Sequence, residues 1–245
     1  MKCFDPNPEL RWMFCMTHPD DEISICAWIK RLTSRGNEVF LTWTHSKRIR
    51  EQEARAVAFL LGVRDSHLHF FNAADGQVVD EIPELIPAFR RHISDVQPDR
   101  IACGAFECGH LDHDATNYIV NHAWDGPTLE IPFYHTYTTR LQTLNRFADP
   151  MGQELLRLRR REQAFKTHIA RQYPSQNIWS VLLWYEVWQK ARLSPDQLRR
   201  TERLRWQRHR DYRSPNLPWK MAKKVMEHPN WQRWDTAVRM IDKSP

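Results

Sequence analysis

Thr17-His18-Pro19-Asp20-Asp21-Glu22 follows directly on the apolar run Trp12-Met13-Phe14-Cys15-Met16, and apolar residues then resume at helical spacing. A buried strand that feeds a helix places the residues between them at the carboxyl edge of a sheet, beside free helix N–H groups. Four ionisable side chains at such a junction exceed what folding alone requires. Pro19 fixes a backbone angle between His18 and Asp20 and stiffens the cluster. His18 and Asp21 are placed to converge on one divalent cation, with Asp20 aimed at a water on it. A plainer reading stands beside this one, in which Asp20 or Asp21 caps the helix and His18 packs in a turn.

Outward from this stretch the pattern is regular. Arg11 to Met16 reads as a buried strand, and Ile25, Trp28, Ile29 and Leu32 form one face of a helix that Gly36 ends. Glu38 to Thr44 is a second strand, Arg48 to Leu61 a helix closed by Gly62, and His67 to Phe71 a third strand. Asp80 is expected to cap a helix through Leu85, Ile86, Phe89 and Ile93, with Pro83 in its first turn. Arg100 to Gly104 is the next strand, followed by Gly109-His110-Leu111-Asp112-His113, a helix from about Asp114 to Ala123 and a strand from Ile131 to Thr138. Such alternation predicts a parallel sheet covered on both faces. Beyond Asp149-Pro150 the expectation changes to long Arg-rich helices. One starts at Ser194-Pro195-Asp196-Gln197, another lies near Trp219 to Met226, and the last runs near Trp231 to Ile241.

Composition narrows the function classes. The 245 residues suffice for one large α/β domain with an extension. Cys3, Cys15, Cys26, Cys103 and Cys108 are odd in number and irregularly spaced, which predicts reduced thiols in a cytoplasmic protein. No stretch has the apolar length of a signal peptide or a transmembrane helix. Seven glycines, with no GxGxxG or GxxxxGK, argue against dinucleotide or P-loop phosphate binding. Charge is shared unevenly: residues 1–150 hold 15 Lys and Arg against 21 Asp and Glu, and residues 151–245 hold 21 against 9. Seven of the eleven tryptophans also lie in this basic part.

His110-Leu111-Asp112-His113 follows its strand just as His18-Pro19-Asp20-Asp21 follows the first, so the two clusters can face each other across a crevice. At this point the sequence resembles the LmbE-like (PIG-L) family of zinc-dependent sugar N-deacetylases, whose signatures are His-Pro-Asp-Asp-Glu and a later His-x-Asp-His. Arg50 and Glu53 on the second helix and Tyr173-Pro174-Ser175-Gln176 are further traces, so the likeness spans roughly residues 10–176. The resemblance implies His18, Asp21 and His113 as metal ligands and Asp20 as general base toward the water. It implies His110 as a positively charged donor to the oxyanion, Asp112 as the residue that orients His110, and Arg50 as a contact for the group attached to the sugar. The implied cofactor is Zn²⁺, with Fe²⁺ or another divalent metal fitting the same ligands. Thr17 stands where the family commonly has Ala, and Cys108 where some relatives have a tyrosine, so no phenol is expected to assist there.

The fold expected is therefore a Rossmann-like parallel sheet with helices on both faces, plus a mainly helical basic C-terminal extension. Residues 1–176 would be the catalytic core and 177–245 the Arg- and Trp-rich extension packed on it. The implied reaction removes the N-acetyl group of an N-acetylated amino sugar or its conjugate, anionic and lipid-linked conjugates included, with no nucleic acid as partner. The alternative is a protein that binds nucleic acid or an anionic membrane through Arg199, Arg200, Arg203, Arg205, Arg208, Arg210 and Arg213. A solvated helical face, with Leu198, Leu204 and Trp206 packed inward, is the more ordinary account of those arginines. Isolated histidines such as His45, His69 and His135 are read as packed or solvated rather than as ligands.

Overall fold

A computed structural model describes residues 2–138, 143–192 and 198–241. The strand β1 (Trp12–Met16) is an interior strand of a seven-stranded sheet with β2 (Val39–His45), β3 (Leu68–Ala73), β4 (Arg100–Gly104), β5 (Thr128–Ile131), β8 (Gln153–Arg157) and β9 (Thr201–Trp206). The order is β3-β2-β1-β4-β5-β9-β8, parallel through β5 and antiparallel at the last two pairings. Every residue of β1 is buried, as expected for a strand covered on both faces. Its side chains alternate: Trp12, Phe14 and Met16 join one core, Met13 and Cys15 the other. The helices α1 (Cys26–Thr33), α2 (Arg48–Leu61) and α5 (Arg160–Ala170) cover the first face. Against the second lie α3 (Ile82–Val96), α4 (Leu111–Ala123) and α8 (Pro229–Ile241), the last through Trp231, Trp234 and Val238. α6 (Ile178–Ala191) follows α5 and packs Ile178, Trp179 and Leu182 against the first core, and α7 (Trp219–Met226) precedes α8 and adds Val225 to the second.

Strand order reverses between β1 and β4, which pair in register from Trp12 with Arg100 to Cys15 with Cys103. Both His/Asp clusters therefore leave the sheet at its topological switch point, where a crevice opens between adjacent strands. Among the described residues no helix is long and apolar enough to cross a membrane. All five cysteines are free and buried.

Four expectations are corrected. The strand expected over Ile131 to Thr138 is β5, Thr128–Ile131, because Pro132 cannot donate to the ladder. The chain then leaves the sheet, and β6 (Tyr134–His135) pairs with β7 (Thr143–Leu144) in a ribbon of its own. Asp80 does not cap α3; it ends a short 3-10 turn, and Glu81 is the N-cap residue. The helix expected from about Asp114 begins at Leu111, so the second motif occupies its cap and first turn. The proposed helix start at Ser194 to Gln197 lies outside the described residues. Residues 201–206, read as part of a helical face, form the buried strand β9 instead. The helical reading of the C-terminal part holds for α6, α7 and α8. The sheet crosses the boundary expected between residues 176 and 177.

Candidate metal centre

At the end of β1 the chain turns sharply. Asp20 takes φ 128°, a region that non-glycine residues enter only under strain of about 1–3 kcal/mol. A 3-10 turn, Asp21–Ser24, then leads into α1. Asp21 folds back on this turn, and its Oδ2 accepts from the backbone N–H of Thr17 at 2.9 Å and of His18 at 2.8 Å. That leaves Oδ1, which lies 3.3 Å from His113 Nε2. His18 Nδ1 lies 3.1 Å from the same nitrogen. Donor atoms bound at about 2.0–2.2 Å around a tetrahedral cation stand about 3.3–3.5 Å apart, so the three fit a single divalent ion. The set also matches such an ion chemically, with two imidazoles and one carboxylate.

The second motif approaches from α4. His110 is the N-cap residue: its Nδ1 accepts from Asp112 N–H at 3.2 Å, so the neutral ring carries its proton on Nε2. The Asp112 carboxylate accepts from Gly76 N–H at 2.7 Å and Val78 N–H at 3.3 Å, and lies 3.5 Å from His18 Nε2. Asp75 is 3.5 Å from the same His18 nitrogen. With one ring nitrogen between two carboxylates, His18 presents the other to His113 and Asp21, the arrangement by which outer carboxylates orient a ligand imidazole.

The electrostatics follow from this crowding. Burial disfavours the His18 cation, but Asp112, Asp75 and Asp21 outweigh it and raise its pKa to about 9. A cation at the centre would answer the same negative field and take the place of that proton. Burial also opposes the Asp21 anion, yet His113 and His18 hold its carboxyl well below the usual range. Asp20 is pushed up to about 7 by burial and by Asp21, against the pull of Arg50. His110 falls to about 4 through burial and its histidine neighbours, so it stays neutral near pH 7.

Two hollows flank the centre. One, of about 210 Å³, is lined by Asp20 and Asp21, by apolar side chains such as Ile23, Phe133, Trp179 and Leu182, and by the charged Lys166, Glu186, Lys190 and Arg199. The other, of about 410 Å³, is lined by His110, Tyr137, Asn230 and Arg233. Tyr134 borders both, its ring 4.9 Å from that of His113.

Comparison with known proteins now adds to the geometry. Residues 13–124, which contain both motifs, match the family model described as PIG-L, GlcNAc-PI de-N-acetylase. This segment is similar to the PIG-L (LmbE-like) family. Among solved structures, the chain is similar to a deacetylase of the teicoplanin biosynthesis pathway, with 15% identity and a TM-score of 0.61 over 82% of this chain and 99% of that one. A deacetylase of the A40926 pseudoaglycone shows 17% identity and a TM-score of 0.58 over 80% and 96%. The N,N'-diacetylchitobiose deacetylase of Pyrococcus horikoshii shows 16% identity and a TM-score of 0.53 over 91% and 88%. One teicoplanin deacetylase structure is of a zinc-inhibited form. These likenesses show a shared α/β fold. A search of curated proteins returns no match.

Within the matched segment His18, Asp21 and His113 come together, while other placements differ from expectation. The Asp112 side chain addresses His18 and the 76–78 backbone, touching His110 only through its own N–H. His110, expected as a charged donor, has its pKa lowered to about 4 by burial and its histidine neighbours, which favours the neutral ring. Arg50 is 6% exposed, and its guanidinium donates to Pro19 O at 2.8 Å and to Asp20 Oδ2 at 2.9 Å, so it grips the expected base. The two remaining traces meet in space: Ser175 donates to the Glu53 carboxylate from N–H at 2.9 Å and from Oγ at 2.6 Å. The sequence reading leaves Asp75 out, and gives Glu22 and Tyr173 no role beyond membership of their motifs. Asp75 lies in the turn after β3, and the carboxyl-edge rule that found His18 would have reached it. Buried Glu22 accepts from Asp20 N–H at 3.1 Å and from the Tyr173 hydroxyl, joining the first motif to the Tyr173-Pro174 turn.

Proposed function

We propose that the chain is a metal-dependent amidohydrolase that removes the N-acetyl group of an N-acetylated amino sugar or its conjugate, giving acetate and a free amine. The observation that carries this reading is the convergence of His18 Nδ1 at 3.1 Å and Asp21 Oδ1 at 3.3 Å on His113 Nε2, with ligand atoms of all three residues within 4.8 Å of one another, beside Asp20 and His110. The sugar substrate is supported by the family model's description and by the deacetylase neighbours. Zinc suits the donor set best, with Fe²⁺ as a substitute; when bound, the ion supplies Lewis acidity to the amide carbonyl and to water.

The protein groups do the rest. Asp20 takes a proton from the attacking water, and Arg50 fixes the carboxylate for that task. The His110 Nε2–H donates to the carbonyl oxygen as negative charge develops on it. Asp112 holds His18 in the orientation the centre requires. As the C–N bond breaks, Asp20 returns its proton to the leaving nitrogen. Arg50 also remains our proposed contact for the sugar's substituent, through the guanidinium that holds Asp20. The cytoplasm is the proposed location, supported by five free, buried thiols.

Asp20→Asn should leave metal content near that of the parent protein and lower amine release about 10²–10⁴-fold. His113→Ala should lose the metal. Elemental analysis and an amine-release assay on N-acetylglucosamine conjugates check both, and full turnover by Asp20→Asn would remove Asp20 from its role.

A further inference from the structure

We infer that the Tyr173-Pro174-Ser175 turn positions Asp20, with Tyr173 acting through Glu22 and Ser175 through the helix that carries Arg50. This rests on the amidohydrolase reading, in which Asp20 is the base, and adds the residues that hold it. Asp20 stands at φ 128°, and a non-glycine residue keeps such a backbone only where its surroundings over-determine it. Two holds do so. The first is on the backbone, where Asp20 N–H donates to Glu22 Oε2 at 3.1 Å. The Glu22 carboxylate is itself fixed, since Oε1 accepts from the Tyr173 hydroxyl and Oε2 lies 3.4 Å from Trp43 Nε1. Glu22 is 0% and Tyr173 1% exposed, so bulk solvent cannot replace that hydroxyl. The second hold is on the side chain, where Arg50 Nη2 donates to Pro19 O at 2.8 Å and to Asp20 Oδ2 at 2.9 Å. Arg50 precedes Glu53 by one turn of α2, and the Glu53 carboxylate accepts the N–H and the hydroxyl of Ser175 at 2.9 and 2.6 Å. Both holds therefore end at one turn, 151 residues from Glu22 and 122 from Glu53. The metal ligands stand outside this set of bonds: Asp21 is held by the N–H groups of Thr17 and His18, and His113 comes from α4. Tyr173 and Ser175 line neither hollow, so their loss should reach turnover rather than metal or substrate binding.

The test is a set of variants of the full chain loaded with zinc, assayed by amine release from N-acetylglucosamine conjugates. Tyr173→Phe should lower kcat about 10–100-fold, as for a displaced base, with KM and bound zinc unchanged. Ser175→Ala should lower kcat about two- to tenfold, and Ser175→Thr, which keeps the hydroxyl, should restore it. In an Asp20→Asn background Tyr173→Phe should cause no further loss, because a residue that acts only through Asp20 then has nothing to position. A purely structural role would lower the melting temperature and leave kcat per bound zinc intact. That result, or a full additional loss in the Asp20→Asn background, overturns the inference. Should Tyr173→Phe fail to fold, Ser175→Ala and its threonine counterpart decide by the same criteria. Hydrogen exchange over residues 17–24 needs no turnover, and Tyr173→Phe should speed it at least about fivefold in that segment alone. If no conjugate releases amine, the amidohydrolase reading fails by itself and exchange decides the positioning of Asp20: a rise confined to the segment sustains it, and an unchanged rate overturns it.

Discussion

Two regions of the molecule bury charge, and they do so differently. Around the ends of β1 and β4, His18 and Asp21 bring a nitrogen and an oxygen to within 3.1 and 3.3 Å of His113 Nε2. In the C-terminal part, buried charges are met by protein partners. Glu202, on β9 with 0% exposure, accepts from the backbone N–H groups of Ala27 and Trp28 at 2.9 and 2.8 Å, and Lys166 lies 3.0 Å away. It thereby completes the N-terminus of α1 from 174 residues along the chain. Arg205 donates to its cross-strand partner Glu130 at 2.5 Å and to Asp149 O at 2.8 Å, and lies 3.4 Å from Glu107. Buried charge that the fold saturates is architecture, whereas buried charge whose donors converge on a common point is suited to a ligand.

The sharpest attempt to break this comparison removes a saturated charge. Glu202→Ala leaves the Lys166 ammonium without its carboxylate and two N–H groups of α1 unmet, so it should cost about 3–5 kcal/mol of stability. Urea denaturation measures it, and a change under about 1 kcal/mol would show that β9 is not fastened through this charge. A smaller effect is expected when a carboxylate beside the centre is neutralised. Asp112→Asn should retain a backbone acceptor for Gly76 but lose the negative charge at His18 Nε2, weakening zinc affinity about 10–100-fold with little change in melting temperature. An unaltered zinc affinity, measured by competition with a chelator, would reassign Asp112 to the 76–78 loop alone.

The same comparison explains what the sequence discloses. Trp12–Met16, Arg48–Leu61 and Arg100–Gly104 are legible because apolar runs and 3.6-residue periodicity are local signals. Both motifs are legible because they sit at junctions those signals define. Thr201-Glu202-Arg203-Leu204-Arg205-Trp206 is not, since its charges mimic a solvated face and the groups that neutralise them lie on β5, α1 and α5. The opposite charge of the two sequence halves thus reflects, in part, complementarity within the fold, and Arg203 and Arg205 are withdrawn from any basic surface. The start of α4 is missed for a related reason: an imidazole caps it, and histidine is not among the strong cap residues. Asp75 and Tyr173 acquire their neighbours only through tertiary contact with His18 and Glu22.

Saturation can still be costly, which gives the mildest of the predicted effects. Glu107 and Glu130 share the Arg205 guanidinium, and burial raises Glu107 to about 8 against the pull of Arg205. Because the folded state holds this proton more tightly than the unfolded chain, the folded protein carries it between about pH 4.5 and 8 while the unfolded chain does not. Stability should therefore be greatest from this group below pH 4.5, fall as pH rises through that window, and level off above 8. Glu107→Gln keeps the shape and the neutral form at every pH, so the difference between variant and parent should grow with pH. Relaxation around the ionised carboxyl keeps the gain modest, about 1 kcal/mol at pH 8, or roughly 2–4 °C in Tm. Asp114, also raised by burial, leaves a residual slope in the variant. Parallel Tm profiles for the two proteins from pH 5 to 8 would mean that Glu107 is ionised throughout, and that Arg205 fully satisfies both carboxylates after all.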